Sequence, residues 1–124
     1  MSALRRALRT LTSLLFAVFF GWAASLQFND PDPVLWVTLY AVAAALAAAS
    51  AFWQLPHRLW GFVVVVCLLW GVSLVPGILV DAMARGRLIG TEEERELGGL
   101  VFVGGFAASW WWVSRRRRDD PATP

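Results

Sequence analysis

The sequence has one cysteine, one histidine and no lysine, and these shortages exclude several kinds of site. A single cysteine, Cys67, excludes an intrachain disulfide and a metal cage built from several thiolates. Because it lies inside an apolar run, we expect a packed free thiol. A four-helix membrane cytochrome needs axial ligands on facing helices, usually histidines, whereas the single histidine, His57, lies in a predicted loop. The sequence therefore predicts no haem.

Catalytic and transport signatures are missing as well. The sequence contains no glycine-rich phosphate loop, no Ser-His-Asp set and no metal-protease motif. Between Leu11 and Val80, the acidic and basic residues and the histidine occur only in the predicted loops, whereas a proton-coupled transporter would carry such a group in mid-membrane. We therefore predict a protein that is not an enzyme and that holds no cofactor.

Apolar residues dominate the chain. They make up 58% of its 124 residues, and the mean hydropathy is +0.58. A soluble domain of this length has too little interior to bury so much apolar surface. Four runs are long enough for helices that cross a hydrocarbon core about 30 Å thick: residues 11–28, 33–53, 59–80 and 97–113. The sequence predicts an all-α membrane protein, an antiparallel bundle of four transmembrane helices in a single membrane domain, 1–124, with a basic tail at 114–124.

The first run has an alternative interpretation as a cleaved signal peptide. Three arginines, Arg5, Arg6 and Arg9, would form its basic region, and Ala23 and Ser25 are small enough for cleavage. The run is long for a signal peptide, which favours a helix that stays in the membrane.

The distribution of arginine predicts the orientation. With the amino terminus in the cytoplasm, eight arginines lie inside and three outside, as the positive-inside rule requires. The eight are Arg5, Arg6, Arg9, Arg58 and Arg115–Arg118; the three are Arg85, Arg87 and Arg95. Because all basic residues are arginine, which favours a GC-rich bacterial genome, we expect a bacterial inner (cytoplasmic) membrane with both termini in the cytoplasm.

Tryptophans and small residues predict where the helices meet headgroups and each other. Residues 110–112 are three tryptophans directly before the arginine run, typical of an interfacial anchor, and Trp53 and Trp60 flank the inner loop in the same way. Four-residue spacing predicts a packing seam on the second helix at Ala41, Ala45 and Ala49. Pro76 is expected to kink or end the third helix.

Two polar segments fall on the predicted outer side, residues 27–33 and 91–96. Asp32 before Pro33 is typical of a helix N-cap followed by a first-turn proline, and Asn29 and Asp30 before Pro31 suit a tight turn. Thr91 with Glu94 forms a capping-box pattern.

The acids of both segments have a second interpretation as ligands. Carboxylate oxygens are the groups that calcium and magnesium prefer. The candidates for such a cluster are Asp30, Asp32, Glu93 and Glu96. Alternatively, Arg95 pairs with Asp30 or Asp32 and joins the two segments.

Both segments together resemble the transmembrane protein 220 family. The run Gln27-x-Asn29-Asp30-Pro31-Asp32-x-x-x-Trp36-x-x-x-Tyr40 and the run Glu92-Glu93-x-Arg95-Glu96-Leu97-x-Gly99-Leu100 carry the resemblance, which covers nearly the whole chain. It implies a small multi-pass membrane protein and implies no reaction. It directs attention to nine residues: Gln27, Asn29, Asp30, Asp32, Trp36, Tyr40, Glu93, Arg95 and Glu96.

Three hypotheses of function remain open. The first is a non-enzymatic accessory or structural bundle whose acidic outer face organises its own fold or docks a partner. The second is a divalent-cation-binding or transport-related protein that uses the same face. The third, an intramembrane enzyme, would need Asp30 or Glu93 as an acid or base in a cleft. The expected partner is the lipid bilayer, with a protein partner or a second copy left open, and no nucleic acid.

Overall fold

The computed structural model describes residues 2–86 and 92–119, and the side chains of the last helix from Arg95 onward. Its elements are α1 Ala3–Leu26, a short 3-10 turn Gln27–Asn29, α2 Pro33–Phe52, α3 His57–Arg85 and α4 Glu92–Asp119. All four α-helices contain a stretch long and apolar enough to cross a membrane. The predicted fold class, an all-α membrane protein with four spanning helices, is confirmed.

The first of two compact units is the antiparallel hairpin of α1 and α2. Near the start of α1, the hydroxyl of Thr10 donates to the carbonyl of Ala51 at the end of α2, at 3.2 Å. Towards the other end, the rings of Phe20 and Tyr40 stack with centroids 6.5 Å apart. From the first contact to the second, the residue number rises on α1 and falls on α2. The two helices are therefore antiparallel.

The second unit is the antiparallel hairpin of α3 and α4. Trp60, in the first turn of α3, is only 2% exposed and meets the ring of Phe106 edge-on at 5.6 Å. The prediction that Trp60 is an interfacial anchor is therefore wrong, because α3 begins at His57 and turns this side chain towards α4. Trp53, the other member of that predicted pair, is exposed.

Local sequence explains where the helices begin and end. The side chain of Ser2 accepts a hydrogen bond from the N–H of Arg5 at 3.3 Å, so it caps α1. α3 ends where Gly86 takes the left-handed conformation, at φ 63°. Of the two alternatives expected at Pro76, a kink or a helix end, the end is wrong, because α3 continues to Arg85; the kink stays a prediction. With 29 residues, α3 is about 43 Å long, more than the roughly 30 Å hydrocarbon core.

The small-residue seam of α2 lies two positions away from the predicted one. The predicted row is exposed at its first two positions and half-buried at the third: Ala41, Ala45 and Ala49. The row that is buried against the rest of the hairpin follows two residues later: Ala43, Ala47 and Ala51. Alanine occupies so many positions of α2 that several four-residue rows exist. The buried row is the one that continues the face of the large buried residues Trp36 and Tyr40.

Large apolar side chains are exposed on all four helices. Examples are Val18, Val34, Leu69 and Val101, which are 65–76% exposed. A protein in water rarely leaves extended apolar surfaces uncovered. The protein is accordingly an integral, multi-pass membrane protein whose helices contact the lipid bilayer.

Candidate functional site

The segment between α1 and α2 is a tight turn held by its own backbone. The N–H of Asp30 donates to the carbonyl of Gln27 at 3.0 Å, which closes the 3-10 turn. The side-chain amide of Gln27 donates back to the carbonyl of Ala23 on α1, at 3.4 Å. Asp30 itself is extended, at φ −78° and ψ 152°, because the residue before Pro31 avoids the helical region.

Asp32 stands at the N-cap position of α2, with Pro33 in the first helical turn. The position is the predicted one. However, within the described residues its side chain makes no capping hydrogen bond, so the expected capping contact is not formed. The carboxylate is exposed and is therefore available to groups outside the chain.

Three aromatic residues lie beneath this turn, and we call them the aromatic cluster: Phe20, Trp36 and Tyr40. All three are buried. The rings of Trp36 and Tyr40, one turn apart on α2, have centroids 6.4 Å apart, and Tyr40 stacks on Phe20 of α1. Trp36 lies one helical turn after the N-cap residue Asp32, so the cluster begins directly after the turn. The turn and the aromatic cluster thus form one site.

Six of the nine predicted residues lie in this turn and in the first two turns of α2, and we call them the loop site: Gln27, Asn29, Asp30, Asp32, Trp36 and Tyr40. Trp36 and Tyr40 are buried, Gln27 and Asp30 are half-buried, and Asn29 and Asp32 are exposed. The exposed groups are an amide and a carboxylate. They can donate and accept hydrogen bonds and can attract a cation, but they include no activated nucleophile.

The other predicted residues belong to the second unit. Arg95 is exposed and Glu96 is half-buried at the start of α4. Glu93 is part of that helix, but its side chain, like Thr91, lies outside the described residues. The predicted convergence of these acids with Asp30 and Asp32, and the predicted pairing of Arg95 with that loop, stay predictions. Within the part of the chain that the structure describes, no three His, Cys, Asp or Glu side chains are grouped as a metal ion would require.

Sequence reasoning missed a set of buried hydroxyls at the other end of the first hairpin. The hydroxyls of Ser13 and Ser50 are hydrogen-bonded at 3.0 Å and both residues are buried. Thr10, one turn before Ser13, bonds to α2 as well. A serine in an apolar run does not reveal whether it faces lipid or another helix. The spacing of Thr10 and Ser13 on one face was the available signal.

Comparison with known proteins identifies a family and a similar curated protein. The family model "Transmembrane family 220, helix" matches residues 19–112, which include the whole loop site. Transmembrane protein 220 of Xenopus laevis is 28% identical over 111 residues, which are 82% of this chain and 58% of the relative. The chain thus spans less than two thirds of that relative's length. No solved structure matches the chain. Because Xenopus laevis is a eukaryote, the relative argues against the bacterial inner membrane that composition favours.

Proposed function

Because the chain belongs to transmembrane family 220, whose model matches well over half of it, we propose that this multi-pass membrane protein has an accessory or structural role and is not an enzyme. In this role the loop site docks a protein partner at the membrane surface. Its buried residues hold the turn in place, and its exposed residues make the contact.

The division of the loop site by burial is the observation that supports this proposal. Trp36 and Tyr40 are buried, and the stacking of Tyr40 on Phe20 joins the first part of α2 to α1. Folding makes no comparable use of Asp32, whose exposed carboxylate caps nothing in the described chain. Exposed polar groups on a loop that a rigid scaffold positions are typical of binding surfaces.

We also propose the orientation. Eight arginines against three favour cytoplasmic termini, and four crossings bring both ends to the same side. In this orientation the loop site and the acids near the start of α4 are both on the outer side of the membrane. Together they are the acidic outer face.

A divalent-cation role is the competing proposal. Its ligands would be oxygens of Asp30 and Asp32, joined by those of Glu93 and Glu96. The two proposals differ in what the exposed carboxylates contact, a protein surface or a metal ion. They also differ in whether the first and second polar segments must meet.

Site-specific photo-crosslinking tests the docking proposal. A photo-reactive residue replaces Asn29, and the matched control replaces Val34, an exposed apolar residue in the first turn of α2, two residues after Asp32. We expect a discrete protein adduct at position 29 that Asp32→Asn weakens, and only lipid adducts at position 34. Lipid adducts alone at both positions, or the same protein adducts at both, would contradict docking by the loop site.

A further inference from the structure

The carboxyl-terminal end of α4 carries two ordered guanidinium groups, which we call the arginine–tryptophan patch: Trp111, Trp112, Arg115 and Arg116. Arg115 lies over the ring of Trp111 at 5.3 Å, and Arg116 lies over the ring of Trp112 at 4.6 Å. Trp112 is 52% exposed, and both arginines are exposed. Stacking on an aromatic face orients a guanidinium and leaves its N–H donors available for an anionic ligand.

A groove of about 470 Å³ runs between α3 and α4 in the same hairpin. Its lining consists of apolar side chains and glycines, and on α4 it extends from Leu97 to Ala108. At 1.5 Å per residue this is about 16 Å, close to half of the roughly 30 Å hydrocarbon core. The groove is therefore shorter than the membrane-crossing part of either helix. A spanning helix of another chain would need contacts over the full thickness.

The groove and the arginine–tryptophan patch are continuous. Ala108, which lines the groove, lies one helical turn before Trp112. On the facing helix, Val64 lines the groove, and one turn earlier a Cβ at Gly61 would be 3.4 Å from the Trp111 ring. One end of the apolar groove thus lies about one helical turn from the tryptophans on which the two guanidinium groups stack.

We propose that this surface is a binding site for one anionic phospholipid. The acyl chain lies along the groove, and Arg115 and Arg116 donate hydrogen bonds to the phosphate, a ligand that the planar guanidinium suits. Trp112 lies at the headgroup level, where tryptophan is enriched in membrane proteins. The site uses residues outside the loop site and does not depend on the docking proposal.

Native mass spectrometry of the detergent-purified full chain tests the headgroup half of the site. The probes are phosphatidylglycerol and phosphatidylcholine with identical acyl chains. We expect the wild type to retain phosphatidylglycerol about tenfold better, as expected for charge-assisted hydrogen bonds. The double variant Arg115→Gln/Arg116→Gln should lose this preference. The matched control Arg5→Gln/Arg6→Gln removes the same charge from α1 and should keep it.

A pair of glycine variants tests the groove half. A Cβ added at Gly105 or at Gly98 would meet no described atom within 4 Å beyond its own helical turn, so both positions accept a side chain. Only Gly105 lines the groove. We expect Gly105→Leu to lower retention of both lipids several-fold, and Gly98→Leu to behave like the wild type.

Three results would overturn the proposal. The first is equal retention of the two lipids by the wild type. The second is equal loss of preference in the two arginine double variants, which would indicate a response to net charge alone. The third is unchanged lipid retention in Gly105→Leu. Circular dichroism of each variant establishes that it is folded, and the two halves of the test use different residues, so one unfolded variant leaves the other half decisive.

Discussion

At the level of single residues, the buried hydroxyls of the first hairpin are the contacts whose energetic role is easiest to isolate. Ser13 and Ser50 bond to each other, and the Ser50 hydroxyl also lies 2.8 Å from the carbonyl of Ala47. No water is available in the hydrocarbon core to replace such a contact. The pair therefore joins α1 to α2 far from the loop site.

We predict that Ser50→Ala destabilises the protein by about 1 kcal/mol, within the range measured for hydrogen bonds between membrane helices. The variant deprives the Ser13 hydroxyl of its partner across the hairpin. Ser73→Ala is the matched control, because Ser73 is exposed and bonds only within its own helix, to Trp70 at 2.6 Å, among the described contacts. Unfolding titrations in mixed micelles measure both. Equal losses in the two variants would contradict a specific role for the pair.

Single residues also show where sequence reasoning reaches its limit. The Asp-Pro pair predicted the position of Asp32 at the start of α2, because proline restricts the backbone on both sides. The missing capping bond depends on the side-chain rotamer, which the dipeptide does not determine. Trp60 is core and Trp53 exposed although both flank the same loop, because one lies inside a helix and the other after its end.

At the level of helices, close approach of α3 and α4 depends on one glycine. A Cβ at Gly104 would lie 3.3 Å from the Cβ of Cys67, tighter than ordinary contact. Cys67 is buried and its Cβ is attached to the backbone, so it can yield only if α3 moves. Small residues at such points allow helices in lipid to pack closely.

The neighbouring glycine supplies a direct comparison. Gly104→Ala should be less stable than Gly105→Ala by about 1 kcal/mol or more, the lower end of the cost of overpacking. Both substitutions gain the same helix propensity, and a Cβ at Gly105 faces open space in the described structure. Thermal unfolding of the two variants side by side measures the difference. Gly104→Ala as stable as Gly105→Ala would show that the helices do not meet at this residue.

The existence of four helices was predictable, but their extents and faces were less so. Apolar runs free of charge mark the spans because lipid tolerates only hydrogen-bonded backbone. The apolar runs do not mark the helix ends, because charged residues beyond a run can remain helical. Thus α1 already begins at Ala3, and α3 continues to Arg85. The buried face of α2 was not predictable because alanine fills several rows, and only the partner helix selects one.

For the whole molecule, orientation is the property that most directly affects the proposed role. In a Cys67→Ala background, we introduce Ser2→Cys, Asp119→Cys and Asn29→Cys one at a time. An impermeant maleimide applied to intact cells should label only position 29, and permeabilised cells should label all three. Labelling of position 2 or 119 in intact cells would contradict the prediction from the arginines that both termini lie in the cytoplasm.

The arrangement of the loop-site residues was predictable only in part. Sequence spacing placed Trp36 and Tyr40 on one face of α2, since four residues make about one turn. It could not identify Phe20 as their partner on α1, because several aromatic residues precede the turn. Convergence of the two acidic segments depends on distances between separate units of the fold, which spacing along a chain does not determine.

Metal content is the most direct test of the claim that separates the two proposals, namely that the loop site holds no cation. Elemental mass spectrometry is applied to the detergent-purified full chain, to Asp30→Asn and Glu93→Gln, and to Asp119→Asn as a control acid on the arginine-rich end of α4. The account predicts far less than one divalent ion per chain in the wild type, with no change in any variant. About one ion per chain, lost in Asp30→Asn and Glu93→Gln but kept in Asp119→Asn, would contradict it.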